Sequence, residues 1–98
     1  MQGRALLAQR KFAEALAVLT QALALRPSFP MALNASGFAY QQLQQNQQAL
    51  ADFDAALQLD PSYINAFHNR AVTRRILGDQ SGAAQDQAKE QELLQKRR

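Results

Sequence analysis

The chain has 98 residues, 47% of them hydrophobic and 19% charged, with a formal charge of +3 and no cysteine. That length makes one small domain, and the missing thiols exclude disulfides, thiolate chemistry and cysteine-based zinc sites, which suits a cytoplasmic location. No stretch approaches the roughly 18 uninterrupted apolar residues of a membrane span, and the N-terminal apolar run is too short and interrupted for a signal peptide, so no membrane association is expected.

The first predicted helices cover 3–9 and 13–25, separated by a short loop at Arg10-Lys11. The second of them carries an apolar stripe of Ala15, Leu16, Leu19, Ala22 and Leu23. Pro27 ends it because proline cannot continue the hydrogen-bond ladder. Ser28 then stands as a candidate N-cap, and Pro30 fits a first helical turn. The next helix, 30–43, places Leu33, Ser36, Gly37, Tyr40 and Leu43 on one face. Gly37 on that face costs about 1 kcal/mol of helix propensity relative to alanine; such a glycine fits where another helix must come close. After a turn at Gln44-Gln45-Asn46, helix 47–59 shows Ala49, Phe53 and Ala56, a small–large–small stripe suited to a tight antiparallel pair. Pro61 and Ser62 repeat the stop and candidate cap. Helix 63–77, a Gly78-Asp79 turn and helix 81–96 complete the chain. The glutamines of residues 41–48 straddle a helix end, a turn and a helix start, and read as a neutral solvated surface.

The residues 21–29, Gln-Ala-Leu-Ala-Leu-Arg-Pro-Ser-Phe, return at 55–63 as Ala-Ala-Leu-Gln-Leu-Asp-Pro-Ser-Tyr, an offset of 34. A fixed period of this length means stacked helix–turn–helix units, none able to bury its apolar face alone. The central unit, with Gly37, Tyr40, Ala49, Phe53 and Pro61, resembles the tetratricopeptide repeat pattern; Leu33 stands for the usual Trp and Ser36 for the usual Leu. One period earlier stand Gly3, Leu6, Ala15, Leu19, Ala22 and Pro27; one period later stand Phe67, Arg70, Ala71, Arg74, Ala83 and Gln87. The resemblance implies an all-α fold, a right-handed superhelical array of antiparallel helix pairs (an α-solenoid) with about three repeats. Residues 1–29 form a truncated first repeat, 30–63 the second and 64–98 the third, whose polar second helix acts as a C-terminal cap.

Arrays that this chain resembles hold an extended peptide or a partner helix on the concave surface lined by the first helices of their units. Projected by repeat position, that groove carries Met31, Asn34, Phe38, Gln41 and Gln42 from the second unit. The third contributes Asn65, His68, Val72, Arg75 and Ile76, and the first Arg4, Leu7 and Ala8. Their spacing sets them on a stripe distinct from the Leu33–Tyr40 core stripe. Amides of Asn34, Gln41 and Asn65 suit a peptide backbone, Phe38, Val72 and Ile76 offer apolar seats, and Arg75 favours a carboxylate. The family's clamp for chaperone C-termini uses Lys, Asn and Arg at set positions. Here the matching positions hold Arg4, Ala35, Asn65 and Asn69, so that activity is not expected. Asn69-Arg70-Ala71 resembles an Asn-Arg-Gly stretch of bacterial arrays in this family.

Catalysis finds no support in the sequence. His68 is the only histidine, no carboxylate lies at helical spacing from it, and no phosphate-binding glycine loop is present. No enzyme activity, metal or cofactor is expected. Arg70, Arg74 and Arg75 with Lys96-Arg97-Arg98 could touch nucleic-acid phosphates, but neighbouring acidic residues and the scarcity of aromatics favour a solvated face with local ion pairs. The Ala15–Leu23 stripe has only a stub to cover it, which invites a partner, a second copy of the chain, or the rest of a longer protein. The leading expectation is a protein-interaction adaptor, with self-assembly through the N-terminal end as the alternative and weak nucleic-acid binding behind both.

Overall fold

The computed structural model describes residues 2–97, with side chains described for residues 8–97. Among the described residues there are five helices: α1 (Gln2–Leu25), α2 (Pro30–Gln42), α3 (Asn46–Leu59), α4 (Ile64–Ile76) and α5 (Gln80–Lys96). They form an all-α array of antiparallel neighbours. α2 packs on α1, α3 and, more lightly, α4; α4 packs on α3 and α5; α1 touches α2 alone.

The small–large–small stripe of α3 forms the centre of the packing. Ala49, Phe53 and Ala56 are fully buried. A methyl group built on Gly37 would come within 2.6–2.9 Å of three carbons of the Phe53 ring. Gly37 is therefore the residue that lets α2 approach α3 over an aromatic side chain. Leu57, Ala66 and Phe67 continue the core between α3 and α4, with Leu33, Tyr63 and Leu93 packed around them.

The expected loop at Arg10-Lys11 is absent: α1 runs unbroken where two helices were expected. The repeat shows why. Residues 10, 44 and 78 are equivalent by the 34-residue offset, and the turns of the later units use a left-handed residue there, Gln44 at φ 63° and Gly78 at φ 89°. A side-chain-bearing residue in that conformation costs roughly 1–2 kcal/mol. Arg10 and Lys11 are both good helix formers, and helical continuation avoids the penalty. It also carries Phe12 onto α2, where its ring meets Phe38 edge-on, with centroids 5.9 Å apart.

The candidate caps move by one residue. α2 and α4 are preceded by Phe29 and Tyr63, neither of which caps with a side-chain hydrogen bond. Both aromatics are used for packing instead: Arg26 stacks over the Phe29 ring at 4.5 Å, and Tyr63 joins the core. Ser62 offers its backbone N–H to Asp60 Oδ1 at 3.1 Å, an Asx turn that follows the end of α3. Among α2 to α5 only α5 has a side-chain cap, Asp79, which accepts from the Gly82 N–H at 2.9 Å.

Candidate functional site

The face shared by α2 and α4 holds most of the residues expected to line the groove. Met31 and Ile76 are largely exposed, Phe38 is partly covered by Phe12, and Val72 is half-buried. Gln42, Asn65 and Arg75 face solvent, and Arg75 makes no ion pair among the described residues. The side chains of Arg4 and Leu7 lie outside the described residues.

Two of the amides expected to be free for a ligand are engaged between helices. Asn69 Nδ2 donates to Asn34 Oδ1 at 3.1 Å. Gln41 Nε2 donates to Thr73 Oγ1 at 2.9 Å and to the Asn69 carbonyl at 3.4 Å, while the Thr73 hydroxyl donates back to that carbonyl at 2.9 Å. This bridge fixes the spacing of α2 and α4. It leaves the Asn34 amide N–H groups, the Asn69 side-chain oxygen and the Gln41 Oε1 to meet a bound backbone. Thr73 is fully buried and Asn69 half-buried beneath the stripe. Neither is a groove position by projection; the signal that could have found them is the i, i+4 spacing of two small polar residues on α4 opposite Gln41.

His68 does have a carboxylate partner, contrary to the local reading. Its Nδ1 lies 3.2 Å from Glu90 on α5. The partner is 22 residues away and reaches it only through the α4–α5 packing. The pair is exposed on the imidazole side and has no nucleophile beside it, and no group of three metal-ligating side chains occurs among the described residues.

The arginine cluster turns inward on carboxylates. Asp86 is buried and receives Arg70 Nε at 2.9 Å and Nη2 at 2.8 Å, with Arg74 Nη1 at 3.1 Å. Arg70 Nη1 also reaches Asp54 on α3 at 2.9 Å. The hydrogen bonds it donates to Asp86 hold the Arg70 guanidinium still more firmly in its charged form, against the opposing effect of burial. Two of the three α4 arginines expected to be open to phosphate are thus already paired.

One period earlier the same carboxylate is unanswered. Asp52 is the counterpart of Asp86, but Ser36 and Tyr40 stand where Arg70 and Arg74 do. Asp52 Oδ2 is buried with no hydrogen-bond partner. Desolvation raises the Asp52 carboxyl above the usual carboxylate range, only partly offset by the Ser36 hydroxyl. A folded-state pKa above the unfolded one means that this group favours folding in acid and loses that contribution as pH rises through the raised value. Asp52→Asn is accordingly expected to raise Tm by a few degrees at pH 7. The gain should vanish near pH 4, where the unfolded carboxyl also becomes protonated, as thermal melts at the two pH values will show.

Residues 1–64 match the model of the tetratricopeptide repeat family. Over 82 residues the chain is 30% identical to the heat-shock protein cognate co-chaperone sgt12 of Aspergillus fumigatus, covering 84% of this chain and 24% of that protein. Among solved structures it is similar to the second repeat domain of Spaghetti (RPAP3) bound to the HSP90 peptide SRMEEVD, with TM-score 0.83 and 27% identity over 94% of this chain and 85% of that one. It is also similar to MamA, residues 41 to the end, from Desulfovibrio magneticus, with TM-score 0.84 and 26% identity over 93% of this chain and 51% of that one. The chain spans about a quarter of the length of the curated relatives it matches. No helix among the described residues is long and apolar enough to cross a membrane.

Proposed function

Since the chain belongs to the tetratricopeptide repeat family, we propose that it is a non-catalytic binding module that takes an extended peptide or partner segment along the α2–α4 face. The observation that carries this reading is the pairing of exposed apolar side chains with half-satisfied amides. Met31, Phe38 and Ile76 are more open to solvent than large apolar groups usually are. They flank the Asn34–Asn69 and Gln41–Thr73 bridges, whose remaining donors and acceptors suit a peptide backbone. Arg75 at the edge adds a preference for a carboxylate.

The Spaghetti structure holds a chaperone-derived peptide, which supports peptide binding on this fold in general. The ligand here is of a different kind in our reading, because Ala35, Asn65 and Asn69 occupy positions where a chaperone-binding clamp carries Asn, Lys and Arg, and Asn69 is already tied to Asn34. A cytoplasmic location accords with the absence of cysteine, and the Asn69-Arg70-Ala71 stretch supports a bacterial-type array.

Pull-down from lysate with the intact chain and with Asn34→Ala/Arg75→Ala, read by mass spectrometry, tests the proposal. The variant is expected to lose its specific partner by at least about tenfold while its helical circular dichroism stays unchanged. Equal recovery by both proteins would overturn the assignment of the groove. SRMEEVD peptide is expected to bind neither.

A further inference from the structure

The uncovered side of α1 can be read against its equivalents one period later. Ala49, Phe53 and Ala56 on α3 are fully buried beneath α2. Their counterparts on α1 are Ala15, Leu19 and Ala22; Ala15 is exposed and the other two are only half-buried. Beside them Val18 is 67% and Leu25 90% exposed. No helix among the described residues covers this side, because α1 touches α2 alone.

The residues that would cover it are in the same chain. Gly3 stands at the repeat position of Gly37, and Leu6 at that of Tyr40. In the second unit Gly37 lies over the Phe53 ring, so the matching contact is Gly3 over Leu19. Within one copy this contact is impossible: both residues belong to the same unbroken helix, roughly 24 Å apart along its axis at 1.5 Å per residue.

We propose that two copies exchange the leading parts of α1, residues 2–9 of each lying antiparallel on residues 13–20 of the other. The register follows from the Gly37–Phe53 contact. It pairs residue 3 with 19 and residue 8 with 14, and puts Lys11 on the two-fold axis. The two helices then overlap over about 28 Å. Reciprocal exchange of this kind closes the symmetry and leaves no unpaired face to propagate a fibre. Glu14 of each copy falls within a turn of Lys11 of the other, which offsets the lysine pair at the axis. This assembly is independent of the α2–α4 groove.

The test uses the 98-residue chain. Light scattering after gel filtration should give about twice the monomer mass of 10.9 kDa. Because the chain has no cysteine, Lys11→Cys introduces a single thiol, and mild oxidation should convert most of the protein to a disulfide-linked dimer under non-reducing electrophoresis. Arg10→Gly/Lys11→Asp restores the Gly78-Asp79 turn at the equivalent position. It should fold the arm back onto its own chain and give a monomer with undiminished helicity. A monomer of the intact chain at high concentration overturns the proposal. So does a dimer whose Lys11→Cys form does not cross-link, or one that persists after the turn is restored.

Discussion

Replacing Phe53 with alanine is expected to destabilise the fold by about 3–5 kcal/mol. The ring is fully buried, the largest such side chain in the described structure, and its removal leaves a cavity between α2 and α3 that close-packed helices cannot collapse to fill. Against a total stability of about 5–15 kcal/mol for a domain of this kind, the variant sits near the edge of unfolding. Its Tm should fall by about 15 °C or more, read by circular dichroism at 222 nm. The complementary change, Gly37→Ala, pushes a methyl group into the same ring and should cost about 1–3 kcal/mol. Combining Gly37→Ala with Phe53→Leu makes room for that methyl, so the double variant is expected to be more stable than the sum of the two losses. Strict additivity in that cycle would show that Gly37 and Phe53 do not oppose each other directly.

The second large effect is expected at Asp86. Alanine there takes the buried carboxylate from two guanidinium groups at once, since Asp86 receives three hydrogen bonds from Arg70 and Arg74. Removing one partner of a buried ion pair costs about 3–5 kcal/mol, mostly through the charge left uncompensated. Arg70 keeps its bond to Asp54, which places the expected loss at the lower end. Urea unfolding should show the midpoint falling with the slope unchanged, since the buried area is nearly the same. Arg70→Met/Asp86→Leu should recover part of the loss, because an apolar pair replaces Arg70 and Asp86 and leaves only Arg74, which keeps Asp79 at 3.8 Å. If Asp86→Ala alone unfolds at the wild-type midpoint, the network contributes nothing and the cluster is only a solvated surface.

The architecture could be read from the chain because its evidence is periodic. The 34-residue offset, the glycine over the aromatic and the two prolines located α2 to α5 to within one residue of their ends. The absence of a break at Arg10-Lys11 could not be read that way. Whether the backbone turns at this position depends on a left-handed residue, and Gln44 adopts that conformation with no glycine to announce it, while Arg10 does not. The groove was legible as a stripe but not as chemistry. Helical spacing places Asn34 and Gln41 on a face; it does not say that Asn69 and Thr73 will meet them there. The same limit hid Glu90 from His68 and Asp86 from Arg70, since both pairings join different helices. Aligning the units on each other would have exposed the last of these, because Arg70, Arg74 and Asp86 stand one period after Ser36, Tyr40 and Asp52.

The Arg70 guanidinium, bonded at once to α3 and α5, also has a meaning for how the array melts. Stability in a stacked array divides into what each unit holds by itself and what it gains from its neighbour. Arg70 strengthens the neighbour contribution at the junction of the second and third units. At the preceding junction the equivalent residues are Ser36 and Thr20, and the Thr20 hydroxyl turns back to its own helix at Leu16. The array is therefore welded along one seam and hinged along the other: α2 to α5 open as one cooperative block, and α1 detaches from them on its own.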